Sequence, residues 1–452
     1  MRNFFRKAAL AGLSALLILP LALPVRVQAA ERLQELPDTP VVVIDPGHGG
    51  ENQGTLEGIE DEKYMTMTTA MAMYEELCRY DNVEVYLTRT EDVDMKIADR
   101  AAFAESVNAD FLFSIHYNAS EEHTLFGAEI WIPLEAPFNS YGYQFGYEFL
   151  SQLQERGLFL RGIKTRQGNQ GDYYGIIREA AARDIPAVIL EHCHVDEERD
   201  AEYCDSREDF IRFGVEDATA VAKYLGLKSG ELGVDYSGYR LAEADDRVPV
   251  PGTLRDDTPP EVCMIELAEA DYENGTMRFH VSAADYDSPL LYYDYSIDGG
   301  ITYSSRMPWP GSNALEGSYE DTFTLSLLIP SGTSPSVILR AYNLFNLFTE
   351  SNLYSDGKLF SYSLTSEPTE TDGEAASQGE EENAESDAVP AVAGGGEEKQ
   401  ETDFITFLEI CLIVVILLFV LLLISQSIAY HNRKRRRRQR RKDAGASRNQ
   451  HR

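Results

Sequence analysis

Residues 41–50, VVVIDPGHGG, decide the reading of this chain: four apolar, mostly β-branched residues run into Asp45, Pro46, Gly47 and His48, and two more glycines follow. β-Branched side chains suit a pleated strand and glycines the tight turn after it, so the stretch is a buried strand that delivers a histidine onto a loop. Two later stretches share the pattern, FLFSIHYNAS at 111–120 and PAVILEHCHVD at 186–196, each an apolar run ending on a metal-ligating or proton-carrying side chain. In open α/β sheets ligands bind outside the carboxyl ends of the strands. The three strands are therefore expected to bring His48, His116 and Glu191 to one edge.

Residues 38–228 alternate strand and helix patterns, which predicts an α/β catalytic domain with a mostly parallel sheet and helices on both faces. Strands are expected at 41–44, 83–87, 111–115, 127–132 and 187–190. Helical stripes are read at Tyr64, Met67, Met71, Tyr74 and Cys78; at Ile97, Ala101 and Ala104; at Tyr141, Phe145, Phe149 and Leu153; and at Ile211, Val215, Ala218, Ala222 and Leu225. Long loops at 133–143 and 161–172 are candidates to cover the site. A Gly- and Pro-punctuated linker follows at 229–257. Alternating short runs at 258–365, separated by turn signals such as Asp298-Gly299-Gly300, predict an all-β, immunoglobulin-like sandwich, a candidate for binding a protein partner.

Both ends of the chain carry targeting patterns. Residues 1–29 have the order of a secretory signal peptide, with Arg2, Arg6 and Lys7, an apolar core and a small-residue cleavage site. Residues 366–402 are too acidic and too poor in apolar side chains to fold and read as a disordered stalk. Residues 404–430 are apolar over the length of a bilayer crossing, and the basic stretch 431–452 reads as a cytoplasmic tail. The expectation is a bacterial cell-membrane protein with one C-terminal transmembrane helix and an extracytoplasmic catalytic domain. The net charge is −35 although both ends are basic, so the body is strongly acidic, which excludes nucleic acid as its partner. Five cysteines at irregular spacing make no disulfide framework; free buried thiols are expected, with Cys193 and Cys204 as a candidate pair.

A catalytic zinc site takes about three protein ligands and leaves a position for water. His48 and His116 are the nitrogen donors this pattern offers. The acidic loop GIEDEKYMT supplies the third, with Glu60, Asp61 and Glu62 competing for the role. Glu191 ends an apolar strand, an expensive place for a carboxylate unless it is paired or working; as general base it would move a proton from water to a leaving amine.

The series DPGHGG, GIEDEK, LTRTED, the run from DR through SIHYNAS, GAEIW, YYGIIR and IPAVILEHCHVD resembles the zinc-dependent N-acetylmuramoyl-L-alanine amidases of the type 3 family, in the family's order over about residues 40–226. The resemblance implies Zn2+ held by His48, Glu62 and His116, with Glu191 as the catalytic glutamate. It also implies peptidoglycan as substrate, cut between N-acetylmuramic acid and L-alanine. Asn118 and Arg178 fall in its motifs as candidate substrate contacts. An extra residue in the acidic loop keeps Glu60 as a rival ligand, and His192, Cys193 and His194 stand where the family has small residues; His192 or His194 is expected to line the pocket or to be half exposed. Two other functions fit the same residues: a non-catalytic or regulated wall-binding protein on this scaffold, and a zinc peptidase acting on the stem peptide.

Overall fold

A computed structural model describes residues 29–30, 32–242 and 256–362, apart from 313, 316 and 317. The first, α/β domain is built on β1 (Val41–Pro46), α1 (Glu62–Leu77), β2 (Glu84–Leu87), α2 (Ile97–Ser106), β3 (Phe111–Asn118), β4 (Ala128–Trp131), α3 (Phe138–Arg156), β5 (Leu160–Lys164), α4 (Gly175–Ala181), β6 (Ala187–His194) and α5 (Arg207–Leu225). The six strands form one sheet in the order β2-β1-β3-β6-β4-β5. β4 runs antiparallel to β6, while the other four pairs are parallel, so the sheet is mixed but mostly parallel.

Strand alternation divides the core. Val42 and Ile44 of β1, Phe111, Phe113 and Ile115 of β3 and Val188 and Leu190 of β6 point to the larger core with α1, α3 and α5. Val43, Leu112, Ala187 and Ile189 point to the smaller one with α2 and α4. Strands buried on both faces read as continuous apolar runs, which is why these three are plain in the sequence. β5, LRGIK, is equally buried, but its Arg and Lys hid it inside a supposed loop.

The helix faces differ from the expected stripes. On α1 the buried side carries Met65, Thr69, Ala72 and Met73, whereas Tyr64 is 43% exposed and Cys78 is exposed. α1 packs closely on α5: a Cβ on Gly214 would stand 2.3 Å from the Thr69 carbonyl oxygen and 2.8 Å from Ala72 Cβ, so the face with Thr69, Ala72 and Met73 is the enclosed one. On α5, Ile211 and Val215 are likewise exposed, and Phe210, Phe213 and Val221 are buried.

After α5 the chain stays on the domain: Lys228–Ser229 pairs with Val234–Asp235, and Leu241 is buried in the larger core. The second domain packs a three-stranded sheet, Val262–Asp271, Thr276–Ala284 and Glu320–Leu328, against a four-stranded one, Met307–Pro308, Leu290–Ser296, Ile338–Asn343 and Phe348–Glu350. Its alternating inward residues, among them Phe279, Val281, Leu339 and Trp309, make a core of their own. The domains meet at Tyr292, whose hydroxyl donates to the Phe126 carbonyl at 2.5 Å and accepts from Arg161 Nη1 at 3.1 Å.

One expectation is corrected. Among the described residues no helix is long and apolar enough to cross a membrane. The two longest, α3 and α5, have 19 residues each but carry charged and polar side chains along their lengths. The transmembrane helix at 404–430 and the single-pass membrane location built on it are therefore not part of the fold described here. Residues 404–430 lie outside the described residues, as do the stalk at 366–402, the tail at 431–452 and the signal peptide up to residue 28.

Candidate active site

The loop after β1 holds His48 in the left-handed region, at φ +62°. A non-glycine residue is unusual there and persists only where its surroundings impose it. Two buried arginines do so. Arg100 donates to Asp45 Oδ1 at 2.8 Å, to the Pro46 carbonyl at 2.7 Å and to the His48 carbonyl at 2.5 Å. Arg89 donates to the carbonyls of Pro46 at 3.0 Å and Gly47 at 2.8 Å. Asp45, beneath the loop, also accepts from Thr88 and Ser114. These are the Arg of LTRTED and the Arg of the DR motif, whose task could not be read from their positions in the chain.

Three donors converge beside this loop. Glu62, the first residue of α1, places Oε1 3.0 Å from His48 Nε2 and 3.1 Å from His116 Nδ1. The donor atoms of His48, Glu62 and His116 all lie within 4.8 Å of one another, the spacing of a group able to hold a metal ion. Glu60 and Asp61 are not in that group, and Asp61 accepts from Gln53 at 2.9 Å. His48 Nδ1 lies 3.0 Å from Asn52 Oδ1; a proton on Nδ1 donated there leaves Nε2 as the free donor atom, the outer partner that a ligating imidazole needs. Glu62 Oε2 accepts from Thr55 N at 2.9 Å, and Oε1 also accepts from Tyr117 N at 3.1 Å. Burial alone would raise the Glu62 pKa, but hydrogen bonds from His116 and His48 hold it well below the usual carboxylate range. Glycine is required close by: a Cβ on Gly47 would stand 2.4 Å from His116 Cε1, and one on Gly54 2.4 Å from Glu62 Oε2.

Glu191 pairs in register with His116 on the neighbouring strand and is 8% exposed. Its Oε2 is buried without a hydrogen-bond partner among the described residues. Burial, then the charges of Glu62 and Glu129, push its pKa well above the usual value, with Arg161 opposing. Burial of this kind favours the protonated form of the carboxyl.

His192, the next residue along the strand, points to the other face of the sheet. It is fully buried, with Nε2 2.9 Å from Asp217 Oδ2 and Nδ1 3.2 Å from the His116 carbonyl, so it braces the site from behind and does not line it. A bulge then shifts the register, so that Asn118 faces His194. His194 is 2% exposed, with Nδ1 3.2 Å from the Gly127 carbonyl, and burial lowers its pKa to about 3. Neither histidine is half exposed, but His194 lines the cleft that Asn118 and Glu129 also line. Cys193 and Cys204 are both free and buried.

Asn118 donates to Glu129 Oε1 at 3.1 Å and lines a cleft with Glu129, Trp131, Arg161 and His194. Arg178 donates to the carbonyls of Asp172 at 2.8 Å and Tyr173 at 3.3 Å and so ties down the turn before Tyr174. Sequence reasoning missed Glu129, Arg161 and Lys164. Glu129 Oε2 accepts from Arg161 Nε at 2.8 Å and Lys164 Nζ at 2.6 Å, and all three are buried. The available signal was an acid in GAEIW and two cations in an otherwise apolar LRGIK, since buried charges are kept only when paired.

Residues 42–223 match the family model described as N-acetylmuramoyl-L-alanine amidase. The chain is 35% identical over 162 residues to the N-acetylmuramoyl-L-alanine amidase CwlM of Bacillus licheniformis, covering 36% of this chain and 59% of that one. It is 32% identical over 161 residues to the sporulation-specific N-acetylmuramoyl-L-alanine amidase of Bacillus subtilis, covering 35% of this chain and 58% of that one. The chain thus spans under two thirds of the length of these curated relatives. Among solved structures, the catalytic domain of CwlV, an N-acetylmuramoyl-L-alanine amidase from Bacillus (Paenibacillus) polymyxa var. colistinus, aligns at 27% identity and a TM-score of 0.37, over 42% of this chain and all of that one.

Proposed function

Because residues 42–223 belong to the type 3 N-acetylmuramoyl-L-alanine amidase family, we propose that the chain hydrolyses the amide joining N-acetylmuramic acid to the L-alanine of the peptide stem in peptidoglycan. The observation that carries this reading is a buried carboxyl, Glu191, with one oxygen unpartnered, on the strand beside a His48–Glu62–His116 donor group. The donor set fits zinc: two imidazole nitrogens and one carboxylate oxygen, with a pocket lined by His48 and His116 that leaves room for a solvent ligand. When bound, the ion supplies Lewis acidity to the scissile carbonyl and acidifies water at the site.

The chain's own residues do the rest. Asn52 and the Arg100 and Arg89 clamps fix the His48 ring and its loop. The Glu191 carboxylate takes a proton from the attacking water as oxygen adds to the carbonyl carbon, then returns it to the departing nitrogen. The products are a carboxylate on the lactyl group and a free amine on L-alanine. A buried carboxyl with a raised proton affinity suits both halves of that transfer.

The test is digestion of purified peptidoglycan by the full chain, with fragments read by mass spectrometry. Intact stems carrying a free L-alanine amine are expected from the native protein and not after chelation or with Glu191→Gln. Cuts within the stem would make the protein a peptidase, and zinc binding without any cleavage would make it a wall-binding protein on this scaffold.

A further inference from the structure

Where β4 meets β5 the ladder is irregular. Ala128 pairs with Leu160 and Glu129 with Gly162, so Arg161 is the extra residue of a bulge, and Gly162 beside it stands at φ +93°. A bulge re-aims the side chain it carries. Arg161 donates from Nε to Glu129 Oε2 at 2.8 Å and from Nη1 to the hydroxyl of Tyr292 at 3.1 Å, and Tyr292 belongs to the strand Leu290–Ser296 of the β-sandwich. The same hydroxyl donates at 2.5 Å to the carbonyl of Phe126, two residues before β4. One phenol therefore bridges the lead into β4 and the bulge of β5. Tyr292 is fully buried, with the Phe126 and Phe159 rings 4.9 and 5.2 Å from its own. Leu344 of the sandwich closes on the bulge as well: a Cβ on Gly162 would stand 2.7 Å from its Cδ1.

The bulge is joined to the candidate site through the sheet. Glu129 is the register partner of Glu191, and Glu191 of His116, so the three side chains share one face in a row across β4, β6 and β3. Glu129 Oε1 also accepts from Asn118, two residues beyond His116. Carboxylates that stand opposite one another on neighbouring strands repel. Arg161 and Lys164 are the cations that neutralise Glu129, and Arg161 is the one that the sandwich reaches.

We infer that Tyr292 is a positioning residue for the candidate site: the β-sandwich supplies the hydroxyl that holds Arg161 on Glu129, and Glu129 in turn sets the surroundings of Glu191 and the orientation of Asn118. Without that hydroxyl a buried guanidinium N–H and the Phe126 carbonyl both lose a partner, and the cation is free to turn away from Glu129. The effect on hydrolysis rests on the amidase reading. The hold on Arg161 does not.

The experiment compares Tyr292→Phe, Arg161→Met and the double variant with the native full chain, by hydrolysis of a soluble muropeptide and by denaturant unfolding. Loss of one charge-assisted hydrogen bond corresponds to about a tenfold change in a rate or equilibrium constant. Tyr292→Phe is expected to lower kcat about tenfold with KM and zinc content unchanged, a split that a merely structural role would not produce. The double variant is expected to be no slower than Arg161→Met, because the hydroxyl acts through that residue. Arg161→Lys, which keeps a cation beside Glu129, replaces Arg161→Met if the latter does not fold. Native kcat in a folded Tyr292→Phe, or losses that multiply in the double variant, overturns the inference. The unfolding cycle needs no substrate: a coupling of about tenfold in the unfolding constant is expected between the two substitutions, and strict additivity overturns the hold on Arg161. If the native chain cuts nothing, the amidase reading falls and the unfolding cycle decides the hold by itself; cleavage without coupling leaves the amidase and removes the hold.

Discussion

Replacing Arg100 by Met tests whether the loop that carries His48 is held in place by charge. Arg100 is 5% exposed and Asp45 2%, and the guanidinium spans Asp45 Oδ1 and the carbonyls of Pro46, His48 and Met95 at 2.5–3.0 Å. Methionine fills much of the volume but leaves the Asp45 charge buried with only the Thr88 and Ser114 hydroxyls. Breaking one side of a buried pair costs about 3–5 kcal/mol. Arg89 still bonds the Pro46 and Gly47 carbonyls, which argues for the lower end, about 3 kcal/mol. Denaturant unfolding followed by circular dichroism is the assay, with Asp45→Asn and the double variant closing a cycle; the double variant is expected to recover about 1–3 kcal/mol because it no longer buries an unpaired charge. Zinc affinity, read by competition with a chromogenic chelator, is expected to fall about 10- to 100-fold as the His48 carbonyl loses its anchor. A loss below about 1 kcal/mol in Arg100→Met, or strict additivity in the cycle, refutes the clamp.

Glu191→Gln is expected to slow hydrolysis by about 10²–10⁴-fold with metal content unchanged by elemental analysis; a variant of native rate moves the proton transfer elsewhere. Gly47→Ala puts a methyl 2.4 Å from His116 Cε1 and 2.7 Å from the Ile115 carbonyl oxygen, so a cost of about 1–3 kcal/mol and a weakened metal site are expected, read by melting and chelator competition. Glu129 is buried, which alone would raise its pKa, but Lys164 and Arg161 depress it far below its ordinary 4.5. Its contribution is therefore fully present above about pH 4.5 and lost as pH falls through the lowered value, because the unfolded chain then binds the extra proton. Glu129→Gln should be less stable than the native protein at neutral pH and show a flatter acid limb in pH-dependent unfolding; parallel limbs would count against the pairing.

The site was more legible than the packing around it. His48, His116 and Glu191 each end an apolar run, and sheet topology alone brings such ends together, so spacing along the chain did not matter. Glu62 was one of three neighbouring acids until helix geometry separated them: the first residue of α1 faces the strand ends, while Asp61 bonds Gln53. Arg89, Arg100 and Glu129 stayed hidden because their partners are backbone carbonyls or charges far along the chain, and a pattern of residue types carries no trace of such pairing. The face of α1 was misread for a related reason. Apolar periodicity marks the burying side only where helices pack at ordinary distance, and against Gly214 the small and hydroxylated residues are the ones enclosed. β4 is short and apolar, and nothing in its residues tells an antiparallel neighbour from a parallel one.

The order of the residues along the polypeptide has a consequence for how the sheet is put together. The three donor residues fall between positions 48 and 116, at the ends of β1 and β3, which are adjacent in the sheet, and on α1, whereas Glu191 arrives on β6. A chain growing from its amino end supplies the three donor residues first and Glu191 later. The strand that carries Glu191 is paired on both sides, with β3 and with β4, so it joins two parts of the sheet that lie on either side of it.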